Sequence, residues 1–580
     1  MNLTPEERAI GKENFETAIG SEHTRRDFLK GTLAATIAGA GLGAMYFGYS
    51  EGGPPTNPLR VGFIGTGDEG NVLLGALHSE DTRKYIQVVA IADIRPFGIH
   101  RAFHGDQSSP DALGRRPGLM AMYGWKDEDE ARKHVKVYDK DYMDLLNDKD
   151  VEAVVVALPL HLHSAACIKA MRKGKHVITE KLMGHSVHEC KEMGRVAKET
   201  SKILAVGHQR NYSVLYDNAK WLIRNGLLGD LHYIRAQWHR GNLPGHDSWQ
   251  QPMPDDSKLS KQVKKLEELI KSKDAKPADI VQAEKLLAQV EAQIADAKVE
   301  AIHYGYEDET LPNGYARSAL EELIRWRLWN RTGGGLMAEL GSHQLDAAGI
   351  LIGAALEAHG GGEHVHALPL TVSAIGGRYL FPMDRDCEDH VFCSYEFPAP
   401  GYDKDPNKKI ALTYSSINGN GFGDYGEVVM GTEGTLVLER EMDAMLFKSS
   451  STATKIKVSG GEKGPSLDTA ESSHGGAPAT AIGAAALEGG PISRGYTEEL
   501  EHWAWCVKKN PSAEPSAEHM PRCTPAVALG DAVIALVSNI AIHNPKDKAH
   551  IVFEKDWFNI DSDVTPEGEK PNTTRDEYKI

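Results

Sequence analysis

The stretch LRVGFIGTGDEGN, residues 59–71, begins a long alternation of apolar runs and helical segments. A short apolar run is followed at once by the spacing G-x-G-x-x-G at Gly65, Gly67 and Gly70, with Thr66 inside the turn. The first glycine of such a turn permits a tight bend, the second lets a pyrophosphate approach the backbone, and the third allows close helix packing. The stretch therefore predicts a strand, a phosphate-binding turn and a helix, an arrangement typical of dinucleotide binding.

A carboxylate ends the next apolar run, IQVVAIAD, residues 86–93. Asp93 is therefore predicted to accept hydrogen bonds from the adenosine ribose hydroxyls. A carboxylate at this position repels a 2′-phosphate, which favours NAD(H) over NADP(H). Arg95 lies two residues on and leaves NADP(H) open as the alternative.

Apolar runs continue to alternate with helical segments as far as residue 210. Further strands are predicted in residues 151–159, 176–181 and 203–210. Continuous apolar strands alternating with helices predict a parallel sheet covered on both faces. After that point the strands become amphipathic, as in LHYIRAQWHR, which predicts a mostly antiparallel sheet with one open face.

The fold class predicted is α/β, with an N-terminal Rossmann dinucleotide-binding domain and a C-terminal α+β domain for substrate and oligomer contacts. The predicted divisions are a leader and linker over 1–58, the two domains over 59–210 and 211–560, and a C-terminal tail over 561–580. Apolar residues at spacings of three and four predict a helical hairpin inserted at 257–299, as an oligomer contact or a lid. The segment 449–495, rich in Gly, Ser and Ala, is predicted to be a long loop.

Composition excludes several classes of protein. A chain of 580 residues suggests two or more domains, and 41% hydrophobic with 25% charged residues is typical of a soluble globular protein. A net charge of −17 disfavours nucleic acid as a partner. Six cysteines without a C-x-x-C spacing predict neither a disulfide framework nor a structural metal site. Cys387 and Cys393 are predicted to be core residues.

The segment HTRRDFLKGTLAATIAGAGLGAMYFGYS, residues 23–50, resembles a twin-arginine export signal. Arg25 and Arg26 precede an uncharged, Gly/Ala-rich stretch at 31–50. This predicts a periplasmic or otherwise exported protein. An uncleaved leader is the alternative, and it would associate the protein with the membrane.

Two later segments carry the chemistry. Glu180 and Lys181 end a predicted strand, at the edge where open α/β sheets place their ligands. Three glycines at 333–335 precede a helix on which Glu339 and His343 are four residues apart and share a face.

These segments resemble the family of glucose-fructose oxidoreductase, inositol dehydrogenase and MocA. The resemblance extends from residue 59 to about 545 and rests on the glycine turn, on Pro159 and His163, on Glu180-Lys181, and on the helix from Glu339 to His343. It implies an NAD(P)-dependent oxidoreductase that acts on a sugar, a sugar derivative or a polyol. A dimer or tetramer is expected, because the second domain of this family usually exposes one sheet face.

The resemblance also implies roles for individual residues. Lys181 would hydrogen-bond the reacting hydroxyl or carbonyl, His343 would be the acid/base, and Glu339 would orient His343 or bind substrate. Cofactor contacts are expected from Leu158, Pro159, His163, Glu180, Lys181, His208, Gln209 and Arg210. Substrate contacts are expected from Lys181, Trp326, Arg327 and His343.

The sequence departs from the family pattern in three places. Leu182 replaces the proline of E-K-P, so the loop that aims Lys181 is open to question. Leu158 and Leu160 replace polar residues, which removes two cofactor contacts. Glu339 replaces an aspartate and is one methylene longer.

Three functions are compatible with these observations. The first is an exported oxidoreductase with a tightly bound nucleotide that is recycled within each catalytic cycle, since no pool of NAD can be relied on outside the cytoplasm. The second is a redox-assisted glycosidase or lyase, in which transient oxidation acidifies a neighbouring C–H bond. The third is a non-catalytic binding or assembly protein on the same scaffold.

Overall fold

The structure, a computed structural model, contains two large β-sheets. It describes residues 3–20, 47, 49, 53–360, 367–449, 451–461, 464–469, 494–514 and 519–580. The predicted export signal therefore lies outside the described residues, apart from Phe47 and Tyr49.

The first sheet has six parallel strands in the order β3-β2-β1-β4-β5-β6. Its strands are β1 (Leu59–Ile64), β2 (Ile86–Ala92), β3 (Lys136–Tyr138), β4 (Ala153–Val156), β5 (His176–Glu180) and β6 (Leu204–Gly207). Every side chain of β4 is buried, as expected for a strand covered on both faces. This order is that of a Rossmann fold, which confirms the predicted parallel sheet.

Helices cover both faces of this sheet. They span Asp68–Ala76, Glu80–Arg83, Pro96–His104, Pro110–Arg115, Leu119–Tyr123, Glu128–His134, Tyr142–Asn147, His163–Arg172 and Val187–Thr200. The chain returns to this domain near its end, because Trp503 of helix Tyr496–Lys509 joins the same apolar core. Arg172 also donates hydrogen bonds to the backbone oxygens of Thr573 and Tyr578.

The second sheet has eight strands in the order β15-β14-β13-β7-β12-β11-β10-β18. They are β7 (Leu231–Arg240), β10 (Thr371–Gly377), β11 (His390–Pro398), β12 (Lys409–Asn418), β13 (Tyr425–Gly431), β14 (Gly434–Glu439), β15 (Asp443–Lys448) and β18 (His550–Val552). The β7–β12 pair is parallel and the other pairs are antiparallel. Side chains alternate between buried and partly exposed, and Ile375 is 57% exposed. The predicted mostly antiparallel sheet with one open face is confirmed.

The helices of the second half pack on one or other of the two sheets or on further helices. They span Val214–Arg224, Ser257–Lys271, Pro277–Ala295, Ala319–Ile324, Asn330–Gly333, Ser342–Ala358, Tyr496–Lys509, Pro525–His543 and Pro545–Lys548. Helix Pro525–His543 is long and apolar enough to cross a membrane, but 78% of its most apolar window is buried inside the protein. It is therefore a core helix of this fold. A shorter helix, Pro5–Gly20, packs against β15, and its Phe15 and Ile19 are buried.

The insertion forms the predicted helical hairpin, Ser257–Lys271 and Pro277–Ala295. The segment 449–495 differs from the predicted long loop, because β16 (Ile456–Gly461) and β17 (Gly464–Thr469) pair there as a hairpin. Its residues 470–493 lie outside the described residues. A further small pair, β8 (Glu309–Thr310) and β9 (Ala316–Arg317), follows the insertion. All six cysteines, Cys387 and Cys393 included, are free and buried, as predicted for core residues.

Candidate active site

A cleft of about 1760 Å³ lies between the two sheets. Its first wall is the carboxyl edge of the parallel sheet, with Gly65, Asp93 and Lys181. Its second wall comes from the other domain and includes Glu339 and His343. The residues predicted for cofactor chemistry and for acid/base chemistry therefore open into one space.

The glycine turn is shaped to admit a phosphate. Gly65 has φ +91°, and a Cβ there would lie 2.3 Å from the backbone oxygen of Ala157. A Cβ on Gly70 would lie 2.2 Å from the oxygen of Gly65, so both must be glycine. A Cβ on Gly67 would meet nothing within 4 Å, because it would point into open space. Helix Asp68–Ala76 begins there without a side-chain cap, which leaves its first N–H groups for an anion.

Asp93 is held in place at the end of β2. Its carboxylate accepts hydrogen bonds from the backbone N–H and the hydroxyl of Thr66 at 2.8 and 2.9 Å, and from the Arg95 N–H at 2.8 Å. Thr66 thus orients Asp93 from within the turn and is itself buried. The open glycine turn and the fixed carboxylate fit the pyrophosphate and ribose of a dinucleotide.

Two carboxylates inside the turn were not singled out in the sequence, although they lie within G-x-G-x-x-G. Burial opposes ionisation of Asp68, but Arg101 at 2.6 Å and Arg327 hold its pKa below the ordinary value. Burial raises the pKa of Glu69, while Lys181 opposes this shift. The turn therefore carries acidic groups whose charges are compensated by cations from both domains.

Lys181 stands where β5 ends and reaches across the cleft. Its Nζ donates a hydrogen bond to the backbone oxygen of Glu339 at 2.8 Å. Burial and the neighbouring Glu69 raise the pKa of Glu180 to about 8. Leu182, which replaces the family's proline, is buried, and the bond between Lys181 and Leu182 is cis.

Glu339 is fixed by an ion pair. A single π-helical turn, Met337–Gly341, precedes helix Ser342–Ala358, so Glu339 does not lie on the regular α-helix that the sequence predicts. Such turns are frequent at functional sites. Arg327 Nε donates to Glu339 Oε2 at 2.8 Å, and its guanidinium lies 4.2 Å from the ring centroid of Trp326.

His343 is held neutral at ordinary pH. Burial lowers its pKa well below the usual value, and the charges of Lys181 and Arg210 act in the same direction. The ring of Trp238 lies beside it, with centroids 5.3 Å apart. A neutral imidazole next to a cation can accept a proton from a substrate hydroxyl.

Several predicted cofactor residues lie behind the cleft wall. The described lining includes Leu158, Pro159 and Glu180, whereas His163, His208, Gln209 and Arg210 are buried outside it. The two ring nitrogens of His163 lie 2.8 and 2.9 Å from the backbone oxygens of Leu158 and Leu182, so the ring lies between the two cofactor-side loops.

Arg210 is buried behind the second wall of the cleft. It donates hydrogen bonds to the backbone oxygen of His343 and to the Glu441 carboxylate. His208 lies between Asp346 and Asp531, with N–O distances of 3.8 and 3.5 Å. In this structure these residues position neighbours and do not touch the cleft.

Other cleft residues come from distant strands and loops, and Trp238, Tyr425 and Arg494 among them were not predicted from the sequence. Tyr425 stacks on Trp238 with centroids 4.3 Å apart, and Arg240 lies 5.3 Å from the Trp249 ring centroid. Arg494 completes this wall. Aromatic faces beside cations suit a polyhydroxylated ring. No group of three or more His, Cys, Asp or Glu side chains suited to a metal ion occurs among the described residues.

Comparison with known proteins agrees with this geometry. Residues 59–208 match the family model GFO_IDH_MocA, an oxidoreductase family with an NAD-binding Rossmann fold. An uncharacterized oxidoreductase of Streptococcus pneumoniae is 32% identical over 19% of this chain and 28% of its own length. A glycosyl hydrolase family 109 protein of Shewanella amazonensis is 28% identical over 37% of this chain and 45% of its own. The chain thus spans less than half the length of these curated relatives.

One solved structure extends the likeness to the whole fold. An oxidoreductase domain protein from Kribbella flavida superposes with a TM-score of 0.51 at 12% identity, covering 86% of this chain and 100% of that chain. Fold and cleft together define a two-domain dinucleotide-binding protein. The family match covers residues 59–208, the Rossmann domain, which is similar to that of the Gfo/Idh/MocA oxidoreductases.

Proposed function

We propose that this protein is an exported NAD(H)-dependent oxidoreductase that acts on a sugar, a sugar derivative or a polyol and keeps its nucleotide bound between half-reactions. The proposal rests on three features that line one cleft. They are the open turn at Gly67, the ammonium of Lys181 and the neutral ring of His343.

The chain's own residues supply the proton chemistry. A bound nicotinamide ring would supply the hydride acceptor and, in the return half-reaction, the hydride donor. A ring nitrogen of His343 takes the proton of the substrate hydroxyl as the carbonyl forms. Lys181 stabilises the developing alkoxide through its ammonium. Glu339, held by Arg327, fixes Lys181 through its backbone oxygen and borders the substrate space.

Retention of the nucleotide follows from the proposed location. The twin-arginine leader at residues 23–50 would carry a folded protein out of the cytoplasm. Soluble NAD is not dependably available there, so the hydride that one substrate leaves behind must pass to a second substrate at the same site. The sugar or polyol specificity is supported by the aromatic and cationic wall around Trp238 and Arg240.

A second function is supported by the relative named as a glycosyl hydrolase of family 109. In a redox-assisted cleavage the oxidised carbon acidifies a neighbouring C–H bond, His343 or Glu339 removes that proton, and the glycosidic bond breaks by elimination as the leaving oxygen takes up a proton. Water then adds to the resulting double bond, and the hydride would return to the carbonyl carbon. The same residues serve both reactions, and the difference is whether net oxidation occurs.

The experiment adds sugars, polyols and glycosides to purified protein that carries bound NAD. Absorbance of the reduced nicotinamide is followed together with product formation. Lasting reduction that a second sugar reverses supports the oxidoreductase. Glycoside cleavage without net reduction supports the second function instead. If no compound of these classes is turned over or changes the absorbance, both enzymatic proposals fail.

A further inference from the structure

The helical hairpin lies against the first domain. In helix Pro277–Ala295, Gln289 is only 5% exposed, and both the oxygen and the nitrogen of its side-chain amide make hydrogen bonds. Its oxygen accepts from the Gln107 N–H at 2.7 Å, and its nitrogen donates to Asp106 at 3.2 Å. Both partners follow helix Pro96–His104, which is adjacent to the end of β2. The insertion is therefore fastened to the half of the Rossmann domain that faces the adenosine of a dinucleotide.

Asp296 makes the decisive contact. It follows the hairpin, and its side chain is fully buried. One carboxylate oxygen accepts from Arg95 Nε at 2.8 Å and lies 2.8 Å from Arg95 Nη2. The other accepts from the Phe97 N–H at 3.1 Å. Both oxygens of Asp296 are thus directed at the short segment that follows Asp93.

This contact changes what Arg95 can do. In Rossmann proteins an arginine just beyond β2 accommodates the 2′-phosphate of NADP, while a carboxylate at the strand end binds the ribose hydroxyls of NAD. Arg95 is in the first position and Asp93 in the second. Because Asp296 holds the guanidinium of Arg95, a 2′-phosphate would have to compete with that carboxylate for the arginine, and it would also meet the carboxylate of Asp93.

The residues that follow Asp296 close the same end of the cleft. Val299, Tyr304 and Tyr306 line the cleft and pack in one apolar cluster with Ile94 and Leu162. Ile94 follows β2 and Leu162 follows β4, so this cluster bridges the two loops that flank the adenosine site. Residues 299–306 therefore cover the adenosine end of the cleft.

We propose that the insertion is a clasp on the adenosine end of the cleft, in which Asp296 selects NAD(H) against NADP(H) and residues 299–306 slow release of the nucleotide. This inference rests on the dinucleotide binding in the proposed function. It explains how the chain would retain its nucleotide without any covalent attachment.

The test compares Asp296→Asn with Asp279→Asn, an exposed aspartate at the start of helix Pro277–Ala295, which Asp296 directly follows. Affinities for NADH and NADPH, and the rate of NADH release into an excess of competing NAD, are measured by nucleotide fluorescence. Asp296→Asn is expected to shift the NADH-to-NADPH affinity ratio by at least about tenfold toward NADPH, and to speed release of NADH. Asp279→Asn should match the wild type in both.

Tyr304→Ala provides a second readout, because Tyr304 is partly exposed and its removal leaves the buried contacts of Asp296 in place. It should speed release of NADH about tenfold without changing the affinity ratio. If Asp296→Asn does not fold, Arg95→Ala replaces it and should leave the wild-type preference for NADH intact, since Asp296 already occupies that arginine.

The outcomes separate this inference from the proposed function. Wild-type protein that binds neither nucleotide overturns the proposed function, and the clasp with it. Wild-type protein that binds NADH, with variants that keep its affinity ratio and release rate, overturns the clasp alone. A marked loss of NADPH binding on Arg95→Ala also overturns it, because Arg95 would then be free to hold the phosphate.

Discussion

Replacing Gly67 by alanine separates nucleotide binding from folding. Gly67 has φ −68° and ψ −154°, which alanine adopts, and its added Cβ would meet no protein atom within 4 Å. The free energy of unfolding should therefore change by less than about 0.5 kcal/mol. The methyl group would instead occupy the space that a pyrophosphate needs. Loss of one hydrogen bond to a charged group weakens binding by about 1.5–3 kcal/mol, which is roughly ten- to a hundredfold in affinity.

The assay is NADH titration followed by fluorescence, with urea unfolding of the same samples. Gly114→Ala is the matched control, because its Cβ also meets nothing within 4 Å and it lies in helix Pro110–Arg115. Gly65→Ala is the contrasting variant and should destabilise the fold, since its Cβ would lie 2.3 Å from the oxygen of Ala157. Wild-type affinity for NADH in Gly67→Ala would refute the assignment of this turn as the phosphate site.

Three further predictions concern chemistry and pH. Lys181→Ala should lower turnover by about 10²–10⁴-fold and leave NADH affinity within about threefold, and full turnover would contradict its role. Because the pKa of His343 is far below its ordinary value, protonation of this residue should not lower kcat/KM between about pH 8 and pH 6. A fall in kcat/KM over that range that His343→Gln abolishes would contradict a neutral base. Burial lowers the pKa of His176 to about 4, so the unfolded state binds more protons below its ordinary pKa of 6.5. The free energy of unfolding should accordingly fall by about 2 kcal/mol through this group between pH 7 and pH 5, and His176→Asn should remove that part of the urea-measured pH dependence.

The sequence was sufficient wherever a local pattern determines the structure. The parallel strands follow from apolar runs, and the glycine turn follows from backbone geometry that a side chain at Gly65 or Gly70 would block. Strand β3 was missed because it has only three residues, none of them fully buried. The pairing of Lys181 with His343 in one cleft could be expected only through the family resemblance, since they lie in different domains.

Long-range contacts account for what the sequence could not show. Arg210 ends a predicted strand, and nothing local indicates that Glu427 and Glu441 draw it into the interior, away from the cleft. The amphipathic spacing predicted both helices of the insertion but not the surface they contact. That surface depends on Asp296 and Arg95, which are 201 positions apart in the chain.

The most direct test of the account is the nucleotide content of the purified full chain. The protein is denatured without added cofactor, and the released NAD(H) and NADP(H) are quantified against protein concentration. Close to one NAD(H) per chain and almost no NADP(H) are expected. Protein that releases neither nucleotide, while folded by urea titration, would contradict a retained cofactor and with it the proposed reaction cycle.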